Sequence, residues 1–148
     1  MKVLLFYEHI TRELASCNRI SSKIQDYEDA EVAIFSIVFE YYDAIRYARE
    51  RGVDVVVMPW LYSDRDYELV MPFLKINSRI IVVNLHHEQI FSDISRNILL
   101  PKGNTCANNV IHLVWGDGFK NELVSIGVTP DLIYVTGNVR TDSIFESN

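Results

Sequence analysis

Six short apolar runs, separated by stretches of helical periodicity, restrict the fold of this chain more than any other feature. They are Val3–Tyr7, Val32–Ser36, Val53–Met58, Arg79–Asn84, Val110–Trp115 and Leu132–Val135. Each is rich in β-branched residues and close to continuously apolar, whereas a strand with one wet face alternates apolar and polar residues. Strands buried on both faces need helices on both faces. The expected fold is therefore α/β and Rossmann-like, a mainly parallel sheet of six or seven strands with right-handed crossovers, spanning residues 1–137. Residues 138–148 read as the start of an interdomain linker or helix.

The stretches between the runs supply those helices. Between Val38 and Arg51, the residues Val38, Tyr42, Ile45 and Ala48 form one apolar stripe, and Gly52 provides a stop. Phe119, Leu123 and Ile126 form another stripe, ended by Gly127, and Arg12 to Gln25 carries Leu14, Cys17 and Ile24. Asp64 to Ile76 opens on Ser63 or Asp64 as a cap, and Pro72 predicts a kink or two short pieces. The stretch from about Ser92 to Asn109, with Pro101, Gly103 and several Asn, is expected to be a long functional or mobile loop.

Composition removes several classes. With 148 residues, 49% hydrophobic and 23% charged, the chain can bury one real core. A net charge of −6 argues against broad nucleic-acid binding, which depends on neutralising phosphates, but leaves room for a local basic site. No apolar run is long enough to span a membrane, and Val3–Phe6 is too short for a signal-peptide core. Cys17 and Cys106 lack metal-ligand spacing and read as reduced thiols of a cytoplasmic protein.

Ligands of open parallel sheets sit beyond the C-terminal ends of the strands. There the sequence places Glu8, His9 and Arg12 after the first run, Trp60 and Tyr62 after the third, and His86, His87, Glu88 and Gln89 after the fourth. Gly116 follows the fifth, and Asn138 and Arg140 follow the sixth. No glycine-rich phosphate loop follows the first run, which argues against a dinucleotide enzyme or an ATPase. His9 stands where a general base would face an acceptor hydroxyl, with Glu8 or Glu13 to orient it, or is a polar loop residue. Adjacent side chains at a strand end diverge, so the cluster His86-His87-Glu88-Gln89 is not expected to form a metal site by itself, and Glu88 is either a catalytic group or a helix-entry or domain-cleft residue. Trp60 and Tyr62 either stack on a sugar or pack at a helix entry. Cys106 has no base beside it in the sequence to make it a nucleophile.

Two motifs carry a resemblance. His87-Glu88-Gln89 resembles the His-Glu-Gln segment of the N-acetylglucosaminyltransferases that form lipid II, and Gly137-Asn138-Val139-Arg140 resembles their Gly-Asn-Pro-Val-Arg segment without the proline. Thr136-Gly137-Asn138 followed by Asp142 is also similar to UDP-N-acetylglucosamine 2-epimerases, and Arg12-Glu13-Leu14 to bacterial surface-carbohydrate biosynthesis proteins. The resemblance implies the N-terminal, acceptor-binding half of a GT-B type glycosyltransferase of surface polysaccharide biosynthesis. It implies no cofactor beyond a nucleotide-sugar donor, and a sugar or lipid-linked acceptor. It also implies a C-terminal nucleotide-sugar-binding domain in cis or trans and peripheral association with a membrane. His9, Glu88 and His87 are then the candidate catalytic groups, with Glu8, Arg12, Trp60, His86, Gln89, Gly116, Asn138 and Arg140 lining the substrate site. The lipid-II enzymes have a glycine-rich first loop and this chain does not, so its acceptor differs. A UDP-sugar 2-epimerase and a non-catalytic binding module are the alternatives. A phosphoacceptor receiver is disfavoured, because Pro59 stands where its aspartate belongs.

Overall fold

The computed structural model describes residues 1–27, 29–89, 92 and 97–138. All six apolar runs form strands: β1 (Lys2–Tyr7), β2 (Glu31–Ser36), β3 (Val55–Met58), β4 (Ile81–Asn84), β5 (Ile111–Val114) and β6 (Ile133–Val135). They make one six-stranded sheet in the order β2-β1-β3-β4-β5-β6. Every neighbouring pair is parallel, so the fold is α/β and Rossmann-like. The chain moves outward from β1 to β2, then returns to the other side of β1 and continues through β3 to β6. The direction reverses between β1 and β3, and this opens a crevice beyond their C-terminal ends.

The pleat divides each strand between two cores. Leu4, Phe6, Val56, Met58 and Val82 pack on α2 (Tyr41–Arg51), α3 (Asp64–Tyr67) and α4 (Met71–Ile76). Val3, Leu5, Val57 and Val83 point the other way, against Cys17, Ile20 and Ile24 of α1 (Ala15–Gln25). Val114 and Ile133 extend the first core under Ala107 of α5 (Asn104–Asn108) and Phe119 and Leu123 of α6 (Asp117–Ser125). Helices therefore lie on both faces, with α1 alone on the second among the described residues.

Local chemistry sets the helix ends. Ser63 Oγ accepts from the Asp66 N–H at 3.2 Å, so Ser63 caps α3. Pro72 sits in the first turn of α4, where its missing N–H costs nothing, and the expected helix is two short pieces. Gly52 follows α2 at φ 73°, and Gly127 stands just past α6 at φ 93°. The segment expected as one long loop contains α5.

Two side-chain directions differ from expectation. Val38 and Tyr42 do not join the α2 stripe and are exposed. Tyr41 turns inward instead: its ring packs on Phe6 and Phe73, and its hydroxyl donates to the Leu69 carbonyl at 2.8 Å. One residue along a helix rotates a side chain by about 100°, so Tyr42 must face outward once Tyr41 is buried. Ile126 is likewise exposed, and Val128 fills the core beneath α6.

Candidate functional site

A cavity of about 450 Å3 opens at the β1/β3 reversal, lined by Glu8, His9, Arg12, Glu13, Trp60, Tyr62, Asp66, His87 and Glu88. Three strand ends supply it: β1 gives Glu8 and His9, β3 gives Trp60 and Tyr62, and β4 gives His87 and Glu88. Its far wall begins with a five-residue π-helical turn, Ile10–Leu14, that leads into α1. Such wide turns are uncommon and recur at functional sites.

Glu13 organises this wall from inside. Its side chain is almost fully buried, and its Oε2 accepts the Glu8 N–H at 2.7 Å and the His9 N–H at 3.3 Å. The same oxygen stands 3.4 Å from His87 Nδ1, and Arg12 lies 3.7 Å from Oε1. Burial would raise the Glu13 pKa, but the His87 ring and the Glu8 and His9 amides oppose it and hold the carboxyl at about 2. Glu13 is thus an ionised anchor joining the β1 loop to the β4 loop.

The solvent side of the cavity carries the aromatic and charged groups. Trp60 and Tyr62 stack with ring centroids 5.8 Å apart and an interplanar angle of 15°. Trp60 Nε1 donates to Glu8 Oε2 at 2.9 Å, and that oxygen lies 3.6 Å from His9 Nε2. Arg12 donates to Glu88 Oε1 at 2.8 Å across the opening. The His9 side chain is half exposed, so it can meet a ligand.

The four residues after β4 diverge. His86 is fully buried at φ 47°, a left-handed conformation that is uncommon outside glycine, and does not reach the cavity. Its Nε2 lies 2.8 Å from His112 Nδ1, and His112 Nε2 lies 2.9 Å from the Ala107 carbonyl. A carbonyl only accepts, so His112 carries its proton on Nε2. His112 Nδ1 must then accept from His86 Nε2–H, and His86 Nδ1 is left as a buried acceptor with no hydrogen bond. Burial and the neighbouring His112 push the His86 pKa well below its ordinary value; burial lowers His112 too, against the pull of the Ala107 carbonyl. Both rings are neutral and structural. Gln89 is also buried, donating to the His86 carbonyl at 2.9 Å and accepting the Trp115 N–H at 2.7 Å, which ties the β4 loop to β5.

His87 is the wall between the first cavity and a second of about 230 Å3, lined by Ile20, Leu85, Leu113, Trp115, Thr136, Gly137 and Asn138. Its ring is nearly buried, and neither Nε2 nor Nδ1 makes a hydrogen bond among the described residues, although Nδ1 stands beside the Glu13 carboxylate. Asn138 therefore lies at this second cavity and Gly116 caps α6, each apart from the first cavity. Arg140 and Asp142 lie outside the described residues. Cys17 and Cys106 are free and buried, and burial raises both thiols to about 12, with Glu13 adding to Cys17 and Asp66 and Asp64 to Cys106. Neither is a nucleophile at neutral pH.

The structure thus brings Glu8, His9, Arg12, Trp60, His87 and Glu88 together and turns His86 and Gln89 into the protein. Sequence reading undervalued Glu13 and Tyr62. The signal for Glu13 was present: a carboxylate in the first turn after a strand can reach back to the loop amides, as in a capping box. Among the described residues no group of side chains is arranged to hold a metal, and no helix is long and apolar enough to cross a membrane. No protein-family model and no curated protein matches the chain, so the chemistry of this cleft carries the functional reading.

Proposed function

We propose that this domain is the acceptor-binding half of a GT-B type glycosyltransferase, which passes a sugar from a nucleotide-sugar to a surface-polysaccharide acceptor in the cytoplasm. The observation that supports it most is the stacked Trp60–Tyr62 pair beside Glu8, His9, Arg12 and Glu88 at the sheet's reversal point. Sugars present C–H faces that pack on aromatic rings, and hydroxyls that pair with carboxylates and guanidinium groups. A cavity of about 450 Å3 is within the usual range for small-molecule sites.

In this reading Trp60 and Tyr62 form the floor under the acceptor ring, and Arg12 and Glu88 hold its hydroxyls. His9 is the base. Glu8 faces His9 Nε2 and favours the proton there, which leaves the Nδ1 lone pair for the acceptor hydroxyl. The acceptor oxygen attacks the anomeric carbon as His9 takes its proton. The bond from that carbon to the diphosphate oxygen breaks, and the nucleoside diphosphate leaves. The second domain holds that diphosphate. His87 is less suited to the role of base, because its Nε2 is shut off from the cleft.

Saturation-transfer NMR of this chain with hexoses, N-acetylhexosamines and short oligosaccharides tests the binding half of the proposal. Saturation is expected on sugar C–H protons and should disappear in Trp60→Ala. Absence of transfer for all sugars would remove the acceptor-site reading. With the donor domain present, His9→Ala should lower turnover by about 100-fold or more; unchanged turnover would sink the base assignment.

A further inference from the structure

The cavity at the β1/β3 reversal carries a charge that a sugar site does not by itself require. Four carboxylates line it, those of Glu8, Glu13, Asp66 and Glu88, against one guanidinium, that of Arg12. Arg12 is itself engaged: it donates to Glu88 Oε1 at 2.8 Å and lies 3.7 Å from Glu13 Oε1. Two further donors are spent inside the wall. Trp60 Nε1–H goes to Glu8 Oε2, and the Tyr62 N–H goes to Asp66 Oδ2 at 3.0 Å. The second oxygens of Glu8, Asp66 and Glu88 accept no hydrogen bond from the described residues. His87, in the same wall, is nearly buried with Nδ1 turned to Glu13, and neither of its ring nitrogens is hydrogen-bonded among the described residues. The lining is therefore rich in acceptors and poor in free donors.

We infer that the ring bound in this cavity carries a free, protonated amine, so that the substrate class is an unacetylated amino sugar. The inference rests on the sugar-site reading above and narrows it. An ammonium group brings a positive charge and three N–H donors. Those donors match the unused oxygens of Glu8, Asp66 and Glu88, and the charge offsets the surplus of carboxylates. The stacked Trp60–Tyr62 pair acts in the same direction, because an aromatic face is the negative side of its quadrupole and attracts a cation. The Tyr62 hydroxyl registers the combined field: burial first, and then Glu88, Glu8, Glu13 and Asp66, hold its pKa above the ordinary phenol value.

Charge also selects against the other occupants. A phosphate or a uronate placed here would meet the same four carboxylates and be repelled. A hydroxyl or acetamido group in place of the amine gains no charge and offers one donor instead of three. The carboxylates are not arranged as a metal set among the described residues, which leaves their charge to an organic cation. The cavity is open to water on one side, so the attraction is screened by salt.

An NMR titration of this chain with glucosamine, glucose, N-acetylglucosamine and glucuronate, at about pH 6.5 where the amine is protonated, reads the preference directly. Glucosamine is expected to bind at least about tenfold tighter than glucose or N-acetylglucosamine, with glucuronate the weakest. Its advantage should shrink as salt rises. Glu8→Gln and Glu88→Gln should each cut the glucosamine-to-glucose preference by about threefold. Arg12→Gln should raise that preference, an outcome that general damage to the site does not produce. The wild-type ligand series needs no variant to fold. Equal affinity for glucosamine and glucose, or tighter binding of glucuronate, would overturn the amine assignment and leave the sugar site standing. Binding of none of the four would overturn both, so the two failures are distinct.

Discussion

At the scale of single residues, two buried polar systems set the site and predict how acid acts on it. Glu13 has its pKa lowered from 4.5 to about 2 in the fold. A depressed carboxylate contributes stability that is present above its unfolded value and lost as pH falls through the folded one. Glu13→Gln should therefore lower neutral-pH stability by on the order of 2–3 kcal/mol. It should also flatten the stability slope between pH 4.5 and about 2, measured by urea melts across that window. The His86–His112 pair makes a different statement, about proton position. The bond to the Ala107 carbonyl dictates an Nε2–H tautomer for both rings, and long-range 15N NMR should show both neutral in that form. A His86 ring carrying its proton on Nδ1 would contradict the hydrogen-bond chain. The doublet His86-His87 was visible in the sequence, but nothing there said which member faces the cleft. That was decided by a left-handed backbone at His86, which turns the first ring under the sheet rim.

At the scale of elements, α3 and α5 are one unit held by a carboxylate. Asp64 opens α3, and its Oδ1 accepts the Cys106 N–H in the first turn of α5 at 2.7 Å. Gly103, just before α5, has φ 109°, and a Cβ there would lie 2.3 Å from the Asp64 carboxyl. Gly103→Ala should thus cost roughly 2–4 kcal/mol, from backbone strain and overlap together. Asp64→Ala should cost about 1–2 kcal/mol through the lost cap. The double variant should cost clearly less than the sum, because removing the carboxylate removes the overlap but not the strain. Additive losses in denaturant melts would show that Asp64 and Gly103 do not meet. The boundary of this unit was half legible. Ser63, Asp64 and Pro72 announced a kinked helix or two short pieces, whereas α5 lay inside a stretch rich in Asn, Gly and Pro that reads as loop. A five-residue helix has too little periodicity to be seen locally and exists here because Asp64 and the core position of Cys106 hold it.

At the scale of the whole molecule, the two acid-sensitive systems act in sequence. His86 and His112 have pKa values depressed below 6.5, so as pH falls past 6.5 the unfolded chain takes up protons that the folded chain refuses. Glu13 adds its loss below 4.5. Stability should therefore fall continuously from about neutral pH to about pH 2, in thermal melts at fixed ionic strength; a stability maximum below pH 5 would contradict this. The sequence by itself determined the strands, their burial on both faces and most helix limits. These depend on near-neighbour patterns: continuous apolar runs, stripes of period 3.6, a capping serine and a first-turn proline. It also placed Glu8, His9, Trp60, His87 and Glu88 at strand ends, as any alternation of strand and helix does. Only the tertiary structure decided which strand ends adjoin. The β2-β1-β3 order sets the first loop beside the third, so Trp60 can reach Glu8 and Glu13 can reach His87. Tyr42 shows the same limit on a smaller scale, its periodicity pointing inward until the packing of Tyr41 turned it to solvent. The reason is physical: local patterns say whether a side chain can be buried, whereas the order of strands and competition for core volume decide what it meets.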